Sequence, residues 1–79
     1  MQADDVKTLL LQGLENCEVT VSGEDSHFAI LVIGEAFAGL RSVQKQQLVY
    51  AVLSAQIADG SIHAVNIRTY TPAEWQARA

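Results

Sequence analysis

The chain has 79 residues, is 49% apolar and carries nine acids against five bases, a formal net charge of −4. That is too apolar for a disordered tail and is sized for one domain, residues 1–79. The lone Cys17 excludes a disulfide scaffold, the acidic start Met1-Gln2-Ala3-Asp4-Asp5 is not built like a signal peptide, and no apolar run nears the roughly 18 residues of a membrane span.

From the N-terminus, Val6, Leu9, Leu10 and Leu14 fall at helical spacing and predict a helix from about Asp4 to Glu15, capped by Asp4. Glu18-Val19-Thr20-Val21-Ser22 alternates as a half-buried strand does. Gly23-Glu24-Asp25-Ser26 has turn chemistry, and His27 stands at the loop's exit. Phe28 to Ile33 follows, apolar on both faces of its alternation and so expected at the centre of a sheet. The short loop makes these two strands antiparallel neighbours. Gly34 and Gly39 bracket a break. After Ser42, the stripe Val49, Val52, Leu53 and Ile57 marks a second helix, which Asp59-Gly60 stops. Ile62 to Tyr70 reads as a third strand, and the helical crossover before it implies a parallel partner. Thr71-Pro72-Ala73-Glu74 is a helix start, with a hydroxyl N-cap, proline at the first helical position and glutamate three residues after the cap. Trp75, on that short helix, is expected to close over the core. The sum is an α+β fold with a three-stranded mixed sheet and elements in the order α-β-β-α-β-α.

Three residues could carry metal or thiol chemistry: Cys17, His27 and His63. A closed structural zinc site takes four ligands, and neither CxxC nor HExxH spacing occurs. Any thiolate–imidazole site would therefore need a second molecule to complete it. Cys17 follows a helix C-terminus, where the negative end of the dipole disfavours a thiolate, so a small buried thiol is its expected role. His63, taken as part of the third strand, shares a face with Val65 and Ile67 and by pattern alone reads as a structural histidine. His27 reads as an exposed loop residue near Glu24 and Asp25. Ser26-His27 has no nucleophile elbow around it. Gly34 and Gly39 have P-loop spacing, but Leu40-Arg41 stands where Lys and Ser/Thr are required. No enzyme is expected from these residues.

Ser26-His27-Phe28, Phe37-Ala38-Gly39, Lys45-Gln46-Gln47-Leu48-Val49-Tyr50, Ile62-His63-Ala64-Val65 and Tyr70-Thr71-Pro72-Ala73-Glu74-Trp75 occur in this order over nearly the whole chain. Together they resemble BolA-like proteins, nearest the bacterial subgroup called IbaG. The resemblance implies a fold similar to the class II KH arrangement. It also implies a partner, a monothiol glutaredoxin, with a 2Fe-2S cluster held between the two chains. In that pairing the glutaredoxin supplies a cysteine and bound glutathione a second thiolate. The implied histidine ligand from the third strand is His63, and the implied second ligand, from the loop between the first two strands, is His27. Cys17 does not match that position. The implied role is that of a non-enzymatic partner in cluster trafficking or iron sensing, with no cofactor in the isolated apo chain.

The competing expectation is a nucleic-acid-binding transcriptional regulator of the stress response, using the second helix with Arg41 and Lys45. Gln44 and Ser61 stand where relatives often carry cations, and the GxxG of a KH loop is absent. Lys7, Arg41, Lys45, Arg68 and Arg78 form no basic run, which leaves little to neutralise phosphates. A third expectation is an interaction module whose apolar surface self-associates into a homodimer. In all three readings the chain is expected in the cytoplasm, with no membrane partner.

Overall fold

Gln2, not Asp4, starts the first helix. The computed structural model describes residues 1–78, and in it α1 spans Ala3–Gly13. The Asp5 carboxylate accepts the Gln2 N–H at 2.8 Å, closing the helix end from within. Asp4, the expected cap, lies inside the first turn, so it complements the dipole without capping. The far end also falls short of Glu15. Leu14 N–H bonds back to Leu10 at 2.9 Å, and Asn16 then takes φ 53°, reversing the chain toward the sheet.

β1 (Cys17–Glu24) and β2 (His27–Gly34) pair antiparallel, with Glu24 opposite His27 and Cys17 opposite Gly34. The loop is therefore Asp25-Ser26 alone, while Gly23 and Glu24, expected in the turn, prolong β1. Asp25 sits at φ 59°, a conformation that aspartate tolerates better than most residues. β2 occupies the centre of the sheet, and β3 (Ala64–Tyr70) lies parallel to it, as the sequence predicts. Between them, a 3-10 turn at Glu35–Phe37 fills the glycine-bracketed break, and Phe37 is fully buried there. α2 spans Ser42–Ala58.

Alternation along the strands divides the sheet into two faces. Val19, Phe28, Ile30 and Val32 point to one side, where they meet Val6, Leu10 and Leu14 of α1 and Val49 and Leu53 of α2. Burying side chains of this size contributes about 1.5–3 kcal/mol each, so this two-layer contact dominates the packing. On the other face Thr20, Ser22, Ala29, Asn66 and Arg68 are exposed, with Leu31 and Ile33 half-buried. Both long helices lie on the first side, so β2 is apolar on both faces while only one of them is covered by α1 and α2.

α3 (Pro72–Ala77) begins as its sequence dictates. Glu74 N–H donates to the Thr71 hydroxyl at 3.1 Å, and Thr71 N–H donates to Glu74 Oε1 at 2.8 Å. Trp75 departs from expectation. It is half-buried outside the core, edge-on to Tyr70 at 5.3 Å between centroids, with the Arg78 guanidinium 4.1 Å from its ring. The six-residue helix buries no side chain fully. Among the described residues no helix is long and apolar enough to cross a membrane.

Candidate functional site

The site starts where α2 stops. Gly60 takes φ 85°, which a glycine accepts without strain, and the chain doubles back. Ile62 then plugs into the core at 2% exposure, its N–H bonding to the Gln56 carbonyl at 3.1 Å. With Ile62 turned inward, His63 is left outside. β3 begins only at Ala64, so the expected shared face of His63 with Val65 and Ile67 does not exist. His63 belongs to the approach to the strand, and its side chain is exposed.

One carbonyl joins this approach to the β1–β2 hairpin. Ser26 C=O accepts both His63 N–H at 2.7 Å and Ala64 N–H at 3.1 Å. His27 is the first residue of β2 rather than a loop residue, paired with Glu24 on one side and Ala64 on the other. The two imidazoles therefore meet at one end of the sheet, with ring centroids 6.4 Å apart and planes 19° from parallel. Both are exposed, and among the described residues neither ring makes a hydrogen bond or an ion pair.

Gly23 makes the hairpin fit. It takes φ 118°, and a Cβ there would overlap the His27 carbonyl oxygen and come within 3.0 Å of Phe28 Cα. A shallow depression of about 350 Å3 adjoins His27, lined in part by Ser22, Gly23, Ala64 and Asn66.

Metal–imidazole bonds are about 2.0–2.1 Å long. Two unrestrained rings at this separation can turn a nitrogen each toward one centre. Two donors do not complete a site, and among the described residues no group of three or more His, Cys, Asp or Glu side chains comes together. Cys17 contributes nothing here. It lies opposite Gly34 at the far end of the hairpin, seven residue pairs or about 24 Å away. Its thiol, half-buried, donates to the Glu15 carbonyl at 3.2 Å, and burial raises its pKa.

Of the residues proposed to meet nucleic acid, Arg41 is exposed at the start of α2 and Lys45 is not. Lys45 is 9% exposed, and its Nζ donates to both Glu74 oxygens, at 3.1 and 3.3 Å. The reason is periodic: Lys45, Val49 and Leu53 stand four apart on the buried stripe of α2. Gln44 serves the helix end, its Oε1 accepting the Arg41 N–H at 2.8 Å.

Residues 12–74 match the family described as BolA-like protein. The acid stress protein IbaG of Escherichia coli K12 is 48% identical over 75 residues, which cover 95% of this chain and 89% of that one. The DNA-binding transcriptional regulator BolA of Vibrio cholerae is 48% identical over 54 residues, 68% of this chain and 50% of that one. Among solved structures, a bolA protein homologue from Coxiella burnetii superposes with a TM-score of 0.86 at 30% identity, covering 96% of this chain and 97% of that one.

Proposed function

Since the chain belongs to the BolA-like family, we propose that it is a non-enzymatic partner of a monothiol glutaredoxin, co-ligating a bridging 2Fe-2S cluster in iron–sulfur trafficking or iron sensing. The observation that carries this reading is the pair of exposed, unengaged imidazoles of His27 and His63, 6.4 Å apart. The proposed ligands from this chain are these two residues, and the remaining thiolates come from the glutaredoxin cysteine and glutathione. Metal-bound histidines usually donate their second N–H to a carboxylate or carbonyl that fixes the ring. Among the described residues these rings have no such partner, which suits a site finished by a second molecule. Imidazole in place of thiolate makes a cluster less negative and raises its reduction potential. The name of the Escherichia coli relative, acid stress protein, makes a stress response the setting we propose. The test mixes the chain with a cluster-loaded monothiol glutaredoxin and follows visible absorption and circular dichroism. A His63→Ala variant giving the wild-type cluster spectrum would show the ligand assignment to be wrong.

A second reading, a nucleic-acid-binding regulator, draws on the Vibrio cholerae relative. It has less support from the side chains. Lys45 is buried against Glu74, which leaves Arg41 as the exposed cation at the start of α2. Steep salt-dependent retention on DNA, weakened by Arg41→Glu, is what this reading requires. No retention at low salt would end it.

A further inference from the structure

α2 presents an outer face with no charge on it. Its single charged residue, Lys45, is turned inward to Glu74. What α2 shows to solvent includes Val43, Gln47, Tyr50, Ala51, Ser54 and Ala58, with Val43 63% and Tyr50 42% exposed. Surface helices ordinarily keep charged residues on this side. The other two helices and the edge strand β1 of this acidic chain carry exposed carboxylates: Asp4 and Asp5 on α1, Glu18 and Glu24 on β1, Glu74 on α3. Copies of a molecule with net charge −4 repel one another where their exposed carboxylates meet. Along α2 they do not.

The order of residues on this stripe selects the occupant. Large side chains lie in the N-terminal half, and small ones in the C-terminal half. If a second α2 packs antiparallel about a two-fold axis, Val43 falls opposite Ala58, Gln47 opposite Ser54 and Tyr50 opposite Ala51. Each large group then meets a small one, as knobs meet holes, and Gln47 meets a hydroxyl that can satisfy its amide. The same arrangement brings Arg41, just before α2, to Asp59, just after it, at both ends. Both are exposed, and among the described residues neither has an ion-pair partner. Parallel packing would instead oppose like charges. We infer that the outer face of α2 is a self-complementary docking surface for a second copy of this chain, packed antiparallel. One helix of this length, about 25 Å, offers less than the roughly 800 Å2 per partner of a standard stable interface, so the dimer is weak and concentration-dependent.

Sedimentation velocity of the full chain up to about 1 mM tests this, with thermal melts confirming that each variant folds. Tyr50→Glu sets two carboxylates beside the axis and weakens association more than tenfold; if it does not fold, Ser54→Glu makes the same intrusion. Leu11→Glu, at an exposed position on α1, leaves association unchanged. Arg41→Asp weakens it, and adding Asp59→Arg restores it. A chain that stays monomeric throughout overturns the inference, whether or not a glutaredoxin then covers α2. A dimer indifferent to charge at both 50 and 54, or one lost equally in the Leu11 control, also overturns it. Failure of the charge swap to restore association overturns the antiparallel register.

Discussion

The imidazoles of His27 and His63 lie 6.4 Å apart and 19° from parallel, although all of α2 separates them along the chain. What joins them is backbone: the Ser26 carbonyl accepts the N–H groups of His63 and Ala64 together. The side chains themselves hold nothing in place. A structural histidine would be buried or hydrogen-bonded, and among the described residues these are neither.

Stability and cluster binding should therefore separate cleanly at this pair. His27→Ala and His63→Ala, singly or together, are expected to unfold within about 0.5 kcal/mol of wild type in urea, as exposed substitutions do. Against a cluster-loaded monothiol glutaredoxin, the double variant should fail to give the shared-cluster spectrum. A melting curve that collapses alongside the spectrum would mean that the rings are structural.

Gly23 offers an indirect route to the same site. Valine there must adopt φ 118° and collide with the His27 carbonyl, at a cost of roughly 1–3 kcal/mol. The hairpin tip should shift, so Gly23→Val loses stability and also reproduces the cluster spectrum of His27→Ala. Urea melts and the visible spectrum measured on one preparation check both halves. Unchanged stability would contradict the close approach seen in the structure.

The element order, the central place of β2 and the capping of α3 were legible because each rests on local chemistry: alternation, helical spacing, Thr71 and Pro72. The face of His63 is not legible in the sequence, because alternation counts faces only inside a strand and β3 starts at Ala64. Burial of Ile62 comes from tertiary packing, and it decides where β3 begins. The burial of Lys45 is legible in the sequence, since it stands four residues before Val49 and eight before Leu53. The general tendency of lysines to stay exposed runs against that stripe, and the Glu74 carboxylate is what lets Lys45 join it. Phe37 gave no periodic signal at all, being a lone aromatic between glycines. That the two histidines meet follows from the parallel register of β2 and β3, in which His27 pairs with Ala64, and no spacing in the sequence encodes it.

Cys17 is expected to be a bystander. Burial raises its pKa, so at neutral pH the thiol stays protonated and reacts slowly with an alkylating reagent. Labelling should be slower than for free cysteine and should accelerate in denaturant. Because the thiol sits at the opposite end of the hairpin from His27, Cys17→Ser should leave the glutaredoxin-shared spectrum unchanged. Loss of that spectrum in the serine variant would place a ligand where the structure has none.

Glu74 makes the attachment of α3 depend on pH. Its pKa is lowered first by the Thr71 N–H it accepts and then by the Lys45 ammonium. A carboxylate with a depressed folded-state pKa contributes stability that is fully present above its unfolded value. That contribution is lost as pH falls through the folded value. Acid should therefore loosen α3 in the range below ordinary carboxylate pKa values, as the cap and the ion pair fail together. Trp75 is the single tryptophan and stands next to Glu74, so its fluorescence reports this loosening directly. Glu74→Gln should move the wild-type acid-state emission up to neutral pH and flatten the transition. The two ends of the ion pair are also unequal, with Lys45 11% and Glu74 49% exposed in their side chains. Removing the acid strands a buried ammonium, whereas removing the base leaves a carboxylate that water can reach. Glu74→Ala should thus destabilise the fold more than Lys45→Met, measured by urea unfolding at neutral pH. The reverse order would mean that Lys45 contributes through the packing of its stem, with the pair itself adding little.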